Sequence, residues 1–127
     1  MTDMTYRTLG TSGLRVSSVG LGCNNFGRPG TATEDQQGAA RVMHAAIDHG
    51  ITLFDTADIY GYAYGRSEAM MGEALVGKRD QVVLATKFGH TDYESPIPHW
   101  GARGSRRYVR LAVEQSLTRL KTDWIDL

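Results

Sequence analysis

The stretch ITLFDTADIYGYAYGRSEAMMGEAL, residues 51–75, decides the fold. Its first four residues are apolar without alternation, as in strands buried on both faces of a parallel sheet, and the run stops at Asp55. A polar, tyrosine-rich loop follows. Ser67 then reads as the N-cap of a helix in which Glu68, Met70, Met71, Ala74 and Leu75 recur at helical spacing, with Gly77 closing it. Strand, loop and helix in that order form one unit of an α/β protein.

The same unit recurs on either side. Upstream, Thr33 and Gln36 stand at capping-box spacing, and Ala39, Val42, Met43, Ala46 and Ile47 mark an amphipathic helix that ends at Gly50. Downstream, QVVLAT (81–86) reads as the next buried strand. Beyond Lys87 lies a loop, 88–104, that contains Pro96 and Pro98 and is expected on the active face. A third helix is predicted from near Arg106, with Val109, Val113, Leu117 and Leu120 on one face, and WIDL (124–127) reads as a fourth apolar strand. At the start, TYRTLG and LRVSSVGLG flank the turn Thr11-Ser12-Gly13, which predicts a small hairpin leading into the first strand.

Strands alternating with helices argue for a parallel sheet with right-handed crossovers, so the class is α/β. Two closures fit: an open doubly wound sheet, or part of an eight-unit barrel, which normally takes about 250 residues. For a chain of 127 residues, length by itself favours the open sheet. No linker divides the chain, so residues 1–127 are read as one domain.

Composition excludes several function classes. Fourteen Lys and Arg balance fourteen Asp and Glu, leaving no global field to attract nucleic acid or an anionic membrane. The apolar runs fall far short of the roughly 20 residues of a spanning helix, and the N-terminus lacks the pattern of a secretory signal. Cys23 is the single cysteine, which excludes an internal disulfide and fits a reducing cytoplasm. His44 and His49 are off a common helical face and no paired cysteines occur, so no metal site is expected.

Three strand ends carry unusual polar groups: Gly20 to Asn25 after the first strand, Asp55 and Tyr60 after the second, and Lys87 after the third. In a parallel array these ends share one rim. A phenol with an ordinary pKa of about 10 is a poor acid at neutral pH, but an adjacent ammonium lowers that value, and a carboxylate keeps the ammonium charged and oriented. Such a phenol can protonate a carbonyl oxygen.

Each residue also has a plainer reading. Asp55 and Asp58 suit a turn, Tyr60 is one aromatic beside Tyr62 and Tyr64, and Lys87 fits a solvated strand end. Gly20 and Gly22 begin a G-x-G-x-x-G pattern that fails at Asn25, leaving either a tight turn or close approach to a flat ligand. Cys23 reads as buried or cofactor-facing. Arg103, Arg106, Arg107 and Arg110 form a local basic cluster, ordinarily a solvated face, with an anion contact as the alternative.

Taken together, YRTLGTSGLRVSSVGLGCNNFG, GITLFDTADIYGYAYGRSEAMMGEAL, VVLATKFG and SLTRLKTDWIDL resemble the aldo-keto reductase family, in order and over nearly the whole chain. The resemblance implies the first half of a (β/α)8 TIM barrel, about four βα units, with an N-terminal β-hairpin plugging its base. It implies reduction of aldehydes and ketones, small-molecule carbonyl substrates, with NADPH, NADH being the alternative; composition adds the expectation of a cytoplasmic protein without nucleic acid or membrane partners. Carried over residue by residue, Tyr60 matches the general acid, Lys87 the ammonium beside it, and Asp55 the carboxylate paired with that lysine. Gly22, Cys23 and Asn24 match the loop flanking the nicotinamide end of the cofactor, with Asp55 at the same place.

The family's fourth catalytic group is a histidine a few residues beyond the fourth strand, and this sequence ends at Leu127 before that position. His44, His49 and His99 do not occupy it; His90, close to Lys87, is the nearest substitute. A half barrel also leaves open edges, which invite self-association. The competing expectation is therefore a non-catalytic fragment that self-associates or senses a cofactor.

Overall fold

A computed structural model describes residues 3–98 and 101–127, so His99 lies outside the described residues. The chain opens with a hairpin in which β1 (Tyr6–Thr8) pairs antiparallel with β2 (Arg15–Ser17), closed by the turn around Ser12. The Tyr6 hydroxyl donates to the carbonyl of Gly50 at 3.1 Å, which ties this hairpin to the bottom of the domain. Three parallel strands follow in chain order: β3 (Gly20–Gly22), β4 (Leu53–Asp55) and β5 (Val83–Ala85). Gly22, Asp55 and Ala85 stand side by side at their ends.

The helices are α1 (Gln36–Asp48), α2 (Arg66–Ala74) and α3 (Arg106–Leu120). They pack α1 on α2 and α2 on α3, and all three contribute to one core around Phe54 and Leu84. Strand side chains alternate, so Phe54 and Leu84 are fully buried under the helices while their neighbours Asp55 and Ala85 point the other way. A sheet in sequential order with its helices on one face is the winding of a barrel. The open doubly wound sheet favoured by length would instead place helices on both faces. No helix among the described residues is long and apolar enough to cross a membrane.

Several local expectations are corrected. The N-cap of α1 is Asp35, whose carboxylate accepts the Gly38 N–H at 2.7 Å; Thr33 instead bonds the carbonyl of Asn25. Helix α2 starts from Gly65, held at φ +77°, a left-handed conformation that favours glycine. Ser67, expected as the cap, is buried inside the first turn. On α3 the buried positions are Tyr108, Ala112, Ser116 and Leu120, one step round from the predicted stripe, while Val109 and Val113 remain exposed. Packing of backbones selects this smaller face: a Cβ on Gly72 of α2 would lie 2.2 Å from the carbonyl oxygen of Arg119.

Residues 124–127 do not form a regular fourth strand. They run beside β5, with Asp126 and Leu127 N–H groups donating to the Leu84 carbonyl and Thr86 N–H donating to the Leu127 carbonyl. The Asp126 carboxylate takes the Leu84 N–H at 2.8 Å, a partner that a main-chain carbonyl supplies in a regular ladder. Arg79 pairs with the same carboxylate at 2.9 Å and stacks on Trp124, which pins the segment.

Candidate active site

The C-terminal ends of β3, β4 and β5 form one rim, and the sheet brings Asp55, Tyr60 and Lys87 together there. Lys87 lies two residues past Ala85, the register partner of Asp55, so the two side chains emerge on the same face. The Lys87 Nζ donates to Asp55 Oδ1 at 2.8 Å, to the Thr56 carbonyl at 2.8 Å and to Tyr60 Oη at 3.5 Å. Its three protons thus have three acceptors. Partial burial opposes the charge on Lys87, but the hydrogen bond and charge of Asp55, with Tyr60, hold its pKa above the ordinary lysine value. Lys87 also lies 4.9 Å from the centroid of the Tyr60 ring.

Tyr60 is carried on the loop between β4 and α2, and that loop is anchored from within. The Asp58 N–H donates to the Lys87 carbonyl at 3.0 Å, and the Ser67 N–H to the Tyr60 carbonyl at 3.0 Å. Asp58 is 2% exposed and accepts the Tyr64 hydroxyl at 2.9 Å. Burial raises the Asp58 pKa, and burial likewise pushes the Tyr64 phenol up to about 12. Asp58 therefore organises the loop, in keeping with its turn reading, and faces Tyr64 rather than Lys87.

The β3 end presents a different surface. Gly22 is exposed, and a Cβ placed on it meets nothing within 4 Å, so the backbone is open to close approach. Asn24 is exposed beside it. Cys23 is fully buried, and burial, with the nearby Asp55 charge, pushes its thiol up to about 12. Its N–H donates to the Asp55 carbonyl, and its own carbonyl accepts from the Ser67 hydroxyl at 2.7 Å. Cys23 thus shapes the turn that displays Gly22 and Asn24.

Above the rim lies an open cleft of about 690 Å³, bordered by Asn24, Tyr60, Tyr62, Tyr64, His90 and Tyr93. His90 packs edge-on against Tyr93 with ring centroids 5.1 Å apart. His44 and His49 bond the carbonyls of Ala74 and Ala45, away from the rim. Arg103 spends its guanidinium on the carbonyls of His90 and Tyr93, so it braces the loop.

A profile of the aldo/keto reductase family matches residues 18–127. The chain belongs to that family. Among curated relatives of the aldo/keto reductase chain, the uncharacterized oxidoreductase YqkF of Bacillus subtilis is 43% identical over 124 residues, covering 98% of this chain and 38% of YqkF. A 6-dehydroglucose reductase of Novosphingobium aromaticivorans is 40% identical, covering 96% of this chain and 40% of that protein. Among solved structures, an aldo-keto reductase from Bacillus halodurans in its holo form superposes with a TM-score of 0.78 at 40% identity. That match covers 96% of this chain and 38% of the solved chain. The chain therefore spans about two fifths of the length of these relatives, and the solved structures it matches are (β/α)8 barrels.

Sequence reasoning missed one group beside the site. Glu68 is fully buried, accepts the Thr86 hydroxyl at 2.6 Å and pairs with Arg119 at 2.6 Å. Its signal was present: Glu68, Met71 and Leu75 share one helical face, and that face is buried.

Proposed function

We propose that this chain carries the proton-donating part of an oxidoreductase site that reduces aldehyde or ketone carbonyls, on residues 1–127 read as the N-terminal half of a barrel domain. The observation that carries the reading is the Lys87 ammonium held between the Asp55 carboxylate and the Tyr60 phenol. A bound nicotinamide dinucleotide, NADPH by family resemblance with NADH as the alternative, supplies the hydride to the carbonyl carbon.

The chain's own residues do the rest. The substrate oxygen approaches Tyr60 Oη from the cleft, and the phenol proton passes to that oxygen as negative charge develops on it. The product is an alcohol, and the phenolate left behind is stabilised by the neighbouring Lys87 Nζ. Asp55 keeps that ammonium charged and fixes its direction, and the Thr56 carbonyl limits its swing. The open backbone at Gly22 and the exposed Asn24 suit the flat nicotinamide end of the cofactor, and Asp55 borders the same place. The engaged lysine favours this reading over a non-catalytic module, which needs no cation beside a phenol.

The test is NADPH oxidation by the protein carrying this chain against a panel of aliphatic and aromatic aldehydes and ketones, with Tyr60→Phe alongside. Turnover that collapses in Tyr60→Phe while NADPH affinity is retained supports the assignment. Full turnover in the variant refutes it.

A further inference from the structure

Behind the rim runs a circuit of polar contacts that starts at the residue before the lysine and returns to the lysine's own carbonyl. Thr86, which immediately precedes Lys87, turns its hydroxyl to the helix side of β5 and donates to Glu68 Oε1 at 2.6 Å. The other oxygen of Glu68 takes Arg119 Nε from α3 at 2.6 Å. The Arg119 guanidinium lies 5.2 Å from the centroid of the Tyr64 ring, and it also reaches Gln115 and Ser116. Tyr64 donates to Asp58, and the Asp58 N–H returns to the Lys87 carbonyl. The two arms grip the two sides of the reacting pair: one fixes the strand end that carries Lys87, the other the loop that carries Tyr60.

A fully buried carboxylate needs strong compensation, since leaving it without partners costs several kcal/mol. Here both oxygens are engaged, and among the described residues no buried side-chain polar atom lacks a hydrogen-bond partner. Charge-assisted bonds at 2.6 Å are short and directional, so they resist sliding of α2 against β5 better than apolar packing does. The Lys87–Tyr60 separation, 3.5 Å, is at the outer limit of hydrogen bonding, where a small displacement changes the interaction most.

We propose that Glu68 is a positioning residue: through Thr86 on one side, and through Arg119 and Tyr64 on the other, it holds Lys87 and Tyr60 at their working separation. This rests on the reading of Tyr60 as proton donor, and it assigns a function to a residue that touches neither substrate nor cofactor.

Removing the buried charge can unfold the chain, so the decision is carried by Thr86→Val, which keeps shape and charge, compared with Thr86→Ser, which keeps the hydroxyl. Each is assayed with NADPH and the carbonyl that the wild-type protein turns over fastest in the panel. The expected result for Thr86→Val is a kcat lowered about tenfold, with NADPH affinity within about twofold of wild type and the alkaline limb of the pH–rate profile displaced. Thr86→Ser restores both kcat and profile, and Glu68→Gln, where folded, follows Thr86→Val. A folded Thr86→Val with the kcat and pH profile of wild type overturns the inference. If no carbonyl in the panel is reduced, or if Tyr60→Phe turns over like wild type, the functional reading itself has failed and takes this inference with it. An inactive Tyr60→Phe beside an unaffected Thr86→Val removes the positioning role alone.

Discussion

The Nζ of Lys87 lies 2.8 Å from Oδ1 of Asp55, joining the ends of two neighbouring parallel strands. The pair is about half exposed, so its direct contribution to stability is small. Its value is directional: it aims a permanent cation at the Tyr60 hydroxyl.

Replacing Lys87 by Met should therefore affect chemistry more than folding. Turnover is expected to fall on the order of a hundredfold, as for loss of one acid–base partner. The alkaline limb of the pH–rate profile should move to higher pH, because a phenol with no adjacent cation releases its proton less readily. Steady-state kinetics across neutral to alkaline pH check this, and an unchanged profile removes Lys87 from the proposed mechanism.

Asp58 gives a prediction about stability and pH. Burial raises its folded-state pKa above the unfolded value, so below the unfolded pKa the carboxyl is protonated in both states and nothing is lost. As pH rises from there through the folded pKa, the unfolded chain releases its proton first, and stability falls. Asp58→Asn cannot ionise yet can still accept the Tyr64 hydroxyl. Relative to wild type, its stability should climb between acid and neutral pH in denaturant titrations; a constant difference would contradict the buried-acid account.

Cys23 should be chemically silent in the folded protein. Its side chain is fully buried and its thiol is pushed up to about 12, so almost no thiolate is present or reachable at neutral pH. Iodoacetamide labelling followed by mass spectrometry should show slow modification of the native chain and rapid modification in denaturant. Equal rates would place Cys23 at the surface.

Gly72→Ala should destabilise even though alanine is the better helix former. The added Cβ would sit 2.2 Å from the Arg119 carbonyl oxygen, forcing α2 and α3 apart. The expected cost is about 1–3 kcal/mol, as for overpacking elsewhere. Thermal denaturation checks the sign: a stabilised variant would mean that the helices separate freely.

The parallel α/β order was legible because Ile51 to Phe54 and Val82 to Ala85 are short strand-like runs separated by helical periodicity, and periodicity is a local property. The hairpin was legible from Thr11-Ser12-Gly13 for the same reason. The convergence of Asp55, Tyr60 and Lys87 followed from topology, since strand ends in a parallel sheet face one way. What escaped depends on neighbours distant in the chain. The buried face of α3 was misplaced because Val109 and Val113 are more apolar than Ala112 and Ser116, yet the close approach at Gly72 admits only small side chains. Ser67 carries a capping signature, but its hydroxyl serves Thr56 and the Cys23 carbonyl instead. Glu68 falls on the apolar face of its helix in the sequence, but its partners Thr86 and Arg119 lie 18 and 51 residues away, so only the fold shows what it binds.

The order of the sheet has a consequence for biosynthesis. Strands β3, β4 and β5 and then residues 126–127 lie side by side in the order in which a ribosome makes them. Each arriving strand finds its template already exposed, and the intervening helix docks on that sheet and on the helix made before it. Among the described residues each strand after β3 pairs with the one made just before it, so growth from the N-terminus extends one edge of the sheet stepwise while β3 keeps its outer edge free from the start.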